Sequence, residues 1–155
     1  MYKHKQTGTV ILGCIGLAAA MMASFLAMVP PNEWVPKLIM IGALVLFAII
    51  ALCFGSMTVR VSRDELSLAF GPGLIRKSYL ISDITDVSAV RNKWWYGWGV
   101  RFTPHGWLYN VSGLDAVQIS MRNGRQYRVG TDQPEKLADA IDKAIKGEMT
   151  AREEI

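Results

Sequence analysis

Charge is missing from two long stretches of this 155-residue chain. Residues 6–32 and 38–59 contain no Asp, Glu, Lys or Arg, and both are dominated by Ile, Leu, Val, Ala, Met and Phe. Other absences narrow the chemistry. There are two histidines, His4 and His105, and two cysteines, Cys14 and Cys53. No C-x-x-C or Cys/His cluster joins them, so no metal site is expected. No Gly-rich phosphate loop and no triad pattern is present. His105 sits in a Pro104-His105-Gly106 turn without a nucleophile beside it. Asp83 and Asp86 read as turn residues that accept backbone N–H bonds. These gaps point away from an enzyme, and no cofactor is implied. The net charge of +4 is modest. Residues 57–131 hold ten Lys/Arg against five Asp/Glu, net +5, and residues 132–155 hold four against seven, net −3. Nucleic acid binding calls for a stronger basic face than this. The densest cations, Arg122, Arg125 and Arg128, read as a solvated strand face.

The charge-free stretches are long enough to cross a bilayer. Their apolar parts run over about residues 9–29 and 38–56, and about 20 helical residues span the ~30 Å hydrocarbon layer. Each Leu, Ile or Phe near the centre favours insertion by roughly 0.3–0.6 kcal/mol. A cleaved signal peptide would have a shorter apolar region and an A-x-A site. A buried hairpin in a soluble protein would need more covering chain than this one has. Residues 30–37 are short and proline-rich, so the two helices form an antiparallel hairpin. Trp34 falls where interfacial tryptophans sit. Lys37 is the hairpin's one cation, whereas Lys3, Lys5, Arg60, Arg63, Arg76 and Lys77 flank the other side. The positive-inside rule then places both termini in the cytoplasm. Cys14 and Cys53 lie in the helices on that reducing side and are expected to stay unpaired.

Small residues recur at helical spacing. Gly16, Ala20 and Ser24 form one line, Ala19, Ala23 and Ala27 the next, and Ala51 and Gly55 face them from the second helix. Such spacing lets backbones approach closely in lipid. One line serves the hairpin, and the second points to self-association. No ionisable group lies at depth to mark an ion path.

From residue 57 the apolar period changes from helical to two. Alternation marks strands over about residues 58–61, 66–70, 74–80, 84–90, 98–102, 107–111, 116–121 and 127–129. Asn123-Gly124 suggests a two-residue type I′ hairpin. Asp132 and Glu135 suggest a capping box, with Pro134 in the first turn. Leu137, Ile141, Ala144 and Ile145 give the last helix one apolar face, and Gly147 marks its end. The expected class is α+β. A transmembrane hairpin (residues 1–56) precedes an antiparallel roll of about seven strands capped by a helix (57–147), then a polar tail (148–155).

Local phrases carry a resemblance. They are Leu66-x-Leu68-x-Phe70-Gly71, Ile81-x-Asp83-Ile84-x-x-Val87 and Tyr96-Gly97-Trp98-Gly99-Val100-Arg101. Two more are Gly106-Trp107-Leu108-Tyr109-Asn110-Val111-Ser112-Gly113 and Asn123-Gly124-Arg125…Val129-Gly130-Thr131-Asp132-x-Pro134-x-x-Leu137. Residues 57–146 resemble the bacterial pleckstrin-homology-like (PH-like) domains of small membrane proteins with an N-terminal helical hairpin. The resemblance implies a bacterial inner-membrane protein, and the rings formed by some soluble relatives imply oligomers. Phosphoinositide-binding PH domains use a basic loop between the first two strands. Here that loop is Ser62-Arg63-Asp64, its single cation offset by Asp64 and Glu65, so no headgroup site is implied there.

The candidate surface is Arg91, Lys93, Trp94, Trp95 and Tyr96, where cations and aromatics alternate. Trp94 and Trp95 are expected to face lipid or a partner, and Trp98 and Trp107 to fill the roll. The helix would pass into the first strand at Ser56–Thr58 without a linker, so the domain is held under the bilayer. The expected function is a non-enzymatic interaction or assembly module, homo-oligomeric. Its alternatives are an anionic-lipid sensor and an accessory subunit of a transporter or secretion complex. The partners implied are membrane lipid, further copies of the chain and a membrane protein.

Overall fold

The computed structural model describes residues 1–153, with side chains through residue 147. Its first element is a strand, β1 (Tyr2–Thr7), ahead of two long apolar helices, α1 (Thr9–Met28) and α2 (Trp34–Phe54). The next strand, β2 (Ser56–Val61), pairs antiparallel with β1, from Tyr2 opposite Val61 to Thr7 opposite Ser56. The helical hairpin is therefore inserted between two neighbouring strands of one sheet. Alternation explains the pairing. Tyr2, His4 and Gln6 turn toward the interior, while Lys3, Lys5 and Thr7 stay exposed.

Both helices are long and apolar enough to cross a membrane, and neither contains a buried residue. Within this chain they are not covered as the core helices of a soluble fold are. At 1.5 Å per residue each reaches about 30 Å. α2 begins four residues earlier than the apolar run suggests and takes in Trp34 and Pro36, because proline is tolerated in a first turn. Half-buried positions recur at 11, 15, 18–19, 22 and 26 on α1, and at 40, 43–44, 47 and 50–51 on α2. These are the faces on which the two helices meet.

The remaining strands are β3 (Glu65–Phe70), β4 (Ile75–Leu80), β5 (Ile84–Arg91), β6 (Gly99–Thr103), β7 (Gly106–Asn110), β8 (Asp115–Met121) and β9 (Gln126–Gly130). They form one sheet in the order β1-β2-β3-β4 and a second in the order β5-β8-β9-β7-β6. The alternating side chains Met57, Val59, Leu66, Leu68 and Phe70 of the first sheet meet Tyr109, Val117, Ile119 and Val129 of the second in one core. Tyr79 stacks 4.5 Å from Tyr127 and donates its hydroxyl to that of Tyr109 at 3.1 Å, which ties the sheets together. Burial raises both hydroxyl pKa values. Helix α3 (Pro134–Glu153) contributes Leu137 and Ile141 to this core.

The architecture is α+β, with nine strands among the described residues rather than about seven. The roll is not wholly antiparallel, because β7 and β9 run parallel, with Leu108 opposite Arg128. Within residues 1–56, β1 joins the sheet that β2 continues. The Asn123-Gly124 turn is not type I′. Asn123 keeps negative φ, and Gly124 alone is positive at 78°. A three-residue loop results, with Gly124 N donating to Met121 O and Met121 N to Arg125 O. The capping box does not form as expected. Pro134 is the first helical residue, and the Asp132 carboxylate meets the His4 ring across the domain. α3 runs through Gly147 to Glu153, so residues 148–153 of the expected tail are helical. Its last two residues lie outside the described ones.

Candidate membrane junction

The ends of the hairpin are fastened to the sheet and to one loop of the second sheet. Gly8 N donates to Gly55 O at 2.8 Å, and Gly71 N to Ser56 O at 2.8 Å. A Cβ on Gly8 would lie 2.9 Å from Phe54 O and 3.1 Å from Val111 O, so only glycine lets these backbones meet. The loop between β7 and β8, residues 111–114, supplies the rest. Gln6 Nε2 donates to Ser112 O at 2.9 Å, and the hydroxyls of Thr9 and Ser112 are 2.9 Å apart. The loop is held by Asn110, which is buried. Its Oδ1 accepts from Ser112 N at 3.2 Å, and its Nδ2 donates to Gly113 O at 3.0 Å. Gly130 makes room for Asn110, since a Cβ there would lie 2.2 Å from Asn110 Oδ1.

The same loop anchors the aromatic segment. β5 and β6 occupy opposite edges of the second sheet, so residues 92–98 must run from one edge to the other. Four strand spacings are about 19 Å, within reach of seven extended residues. Asn92 N donates to Leu114 O at 2.7 Å, and Trp98 Nε1 to Gly113 O at 3.2 Å. Between these anchors Trp94–Tyr96 forms a single 3₁₀ turn. Trp94 is 72% and Trp95 60% exposed. Their rings meet edge to face at 5.9 Å, and Lys93 Nζ lies 5.1 Å from the Trp95 ring centre.

Underneath lies a residue whose role the sequence concealed. Arg128 is buried on the outer face of β9, not solvated beside Arg122 and Arg125. Its Nε and Nη2 donate to Gln118 Oε1 at 3.0 and 2.8 Å, and its Nη1 donates to Asn92 Oδ1 at 3.1 Å. Burial lowers its pKa, and nearby Tyr96 opposes that shift. No carboxylate pairs with it among the described residues. The crossing segment therefore seals a cation held by neutral amides.

Compared with known proteins, the chain matches no family model and no curated protein.

The expected surface residues are brought together in part. Arg91, Lys93, Trp94 and Trp95 are exposed, and Arg91 Nε lies 4.0 Å from Asp115. Tyr96 is half-buried and sits 6.3 Å from the His105 ring. Trp107 is not a core residue. It is exposed and packs edge to face on exposed Phe102 at the β6 edge. Of the small helix residues, Ala19 and Ala51 are half-buried, and Gly55 is buried in the junction. Gly16, Ala20, Ala23, Ser24 and Ala27 turn away from α2, because bulkier Ile11, Ile15, Met22 and Leu26 take the intrachain face. The Ser62–Asp64 turn lies at the far end of β2 from the helix roots. Among the described residues no three His, Cys, Asp or Glu side chains gather into a metal-binding group.

Proposed function

We propose that this chain is a non-enzymatic bacterial inner-membrane protein whose cytoplasmic PH-like domain is an assembly module, working as a homo-oligomer. One observation carries the reading. Both ends of the hairpin are adjacent strands of one sheet, so the domain has no linker with which to search for distant substrates. A module built this way presents its surfaces at a fixed height and angle, which suits docking. The exposed apolar helices support two membrane spans. The cations on β1 and β2 support the cytoplasmic placement of both termini. Two packed sheets with a C-terminal helix support the PH-like assignment, in which β1 and the parallel β7–β9 pair are elaborations. Gly13, Gly16, Ala20 and Ser24, open on the face of α1 away from α2, support self-association.

Native mass spectrometry of the full chain released from nanodiscs tests the assembly. We expect more than one copy per particle, and single copies for Gly16→Ile with Ala20→Leu. A wild-type chain that is always single removes the assembly reading. Exposed Trp94 and Trp95 beside Lys93 favour a second reading, in which this segment lies in the headgroup layer. Affinity purification from intact membranes would reveal a transporter or secretion partner.

A further inference from the structure

The outer face of the first sheet carries a basic trough that runs up to the helix roots, and we propose that it binds the phosphate-bearing headgroup of an anionic membrane lipid. The proposal rests on the membrane-spanning reading above and is independent of the assembly.

Strand register builds the trough. Lys5, Thr58, Ala69 and Arg76 are successive partners across β1 to β4, and Lys3, Arg60, Ser67 and Ser78 form the next row. Even-numbered β2 residues and odd-numbered β1 and β3 residues point away from the core, so these rows share the outer face. A concavity of about 440 Å³ lies there, lined by Thr58, Arg60, Glu65, Ser67, Arg76 and Lys77 among others. That volume suits a small polar ligand. The charge is lopsided, because Arg60, Arg76 and Lys77 line it with one carboxylate, Glu65, and Lys3 and Lys5 stand in the same two rows as partners of Arg60 and Thr58. Among the described residues none of these cations forms an ion pair, and the hydroxyls of Thr58, Ser67 and Ser78 make no side-chain hydrogen bond. Apart from Arg76 Nε, which donates to Gly73 O at 2.8 Å, the donors for an anion are therefore unspent.

Continuity with the helices chooses the source. The trough shares Gly71 and Pro72 with a second concavity of about 430 Å³ in the crease between sheet and helices. That crease is lined by Lys5 and Thr7 on its polar side and by Leu12, Ala51 and Leu52 on its apolar side. The Lys5–Arg76 row stands two residues along the strand, about 7 Å, from the Thr7–Ser56 pair at the helix roots. The polar layer of a bilayer is of similar depth on each side. A lipid lying against α1 and α2 can thus keep its acyl chains on Leu12 and Leu52 and place its phosphate between Lys5 and Arg76. A free phosphate would leave the apolar crease unused.

The test titrates the detergent-purified full chain with phosphatidylglycerol or phosphatidylcholine and reads bound lipid by native mass spectrometry. We expect tighter binding of phosphatidylglycerol, with roughly 30-fold of that preference lost in Lys5→Gln/Arg76→Gln, about fivefold per cation. Arg76 Nε also donates to Gly73 O at 2.8 Å, so Lys5→Gln/Arg60→Gln, which removes no such bond, should show a comparable loss. Arg91→Gln/Lys93→Gln should keep the preference. Equal binding of both lipids by the wild type, an unchanged preference in both trough variants, or its loss in the Arg91/Lys93 variant alone overturns the proposal. Displacement of the lipid by millimolar glycerol 3-phosphate would make this a soluble-phosphate site and overturn the lipid assignment. Failure of the membrane reading has its own signature, release of the chain from membranes by alkaline carbonate without detergent.

Discussion

Gly106→Ala is expected to cost about 4 kcal/mol or more, enough to deplete the folded protein, whereas Gly124→Ala costs about 1–2 kcal/mol. Both glycines have positive φ, 90° and 78°, so both substitutions carry the left-handed penalty of an L-residue. Space separates them. A Cβ on Gly106 would lie 1.9 Å from Gln126 O, a backbone atom of β9 that cannot swing aside. A Cβ on Gly124 meets nothing within 4 Å. The tightness at Gly106 follows from the parallel pairing, which brings the start of β7 alongside the start of β9. To relieve the clash, the β6–β7 hairpin must pull away from β9 and uncover Leu108 and Tyr109. Thermal unfolding of the detergent-solubilised chain measures both variants. Equal losses would mean that β7 does not approach β9 in this way.

Gln118→Leu is expected to destabilise the domain by about 3 kcal/mol, more than Arg128→Leu does. Gln118 Oε1 accepts two of the three hydrogen bonds that hold the buried Arg128 guanidinium. Removing that acceptor leaves a charge under the aromatic segment with Asn92 Oδ1 alone. Removing the arginine instead leaves only neutral amides, one of them half-exposed Gln118. The usual intuition, that deleting the charged residue is worse, is thus reversed. In thermal unfolding Gln118→Leu should lower Tm by about 10 °C or more and Arg128→Leu by less. Exposure of Trp94 and Trp95 should change little in Arg128→Leu and increase in Gln118→Leu, as read by their fluorescence. The opposite ranking would mean that the guanidinium reaches water.

The contrast between these residues shows where sequence reading stops. The helices were legible because twenty uncharged residues have few alternatives, and α1 starts at Thr9, where the apolar run begins. Strand positions after residue 57 were legible from alternation, and Leu137 and Ile141 from their helical spacing. β1 was hidden in plain view. Tyr2-Lys3-His4-Lys5-Gln6-Thr7 alternates, but its lysines also read as the basic flank of a membrane helix, and its partner lies 49 or more residues away. Strand order was not legible either. Nothing local says that β5 and β6 take opposite edges, so the crossing path of residues 92–98 and the burial of Arg128 stayed invisible. Arg128 falls with Arg122 and Arg125 in the densest basic group of the chain, which suggests a solvated face. Only the sheet order places Asn92 and Gln118 around it. The small-residue stripe was visible, but the direction it faces depends on which larger side chains α2 accepts.

One construction underlies these expectations, an apolar helical hairpin rooted at both ends in a single sheet. Cysteine cross-linking in intact membranes tests it most directly, in a Cys14→Ala/Cys53→Ala background. Lys3→Cys/Arg60→Cys joins two exposed register partners of β1 and β2, and Lys3→Cys/Ser78→Cys joins the same row three strands apart. The account predicts rapid, near-complete oxidation of the first pair in the membrane fraction and little of the second. An unreactive first pair, or equal reaction of both, would mean that the N-terminal segment is not part of the sheet and that the domain hangs from one helix alone.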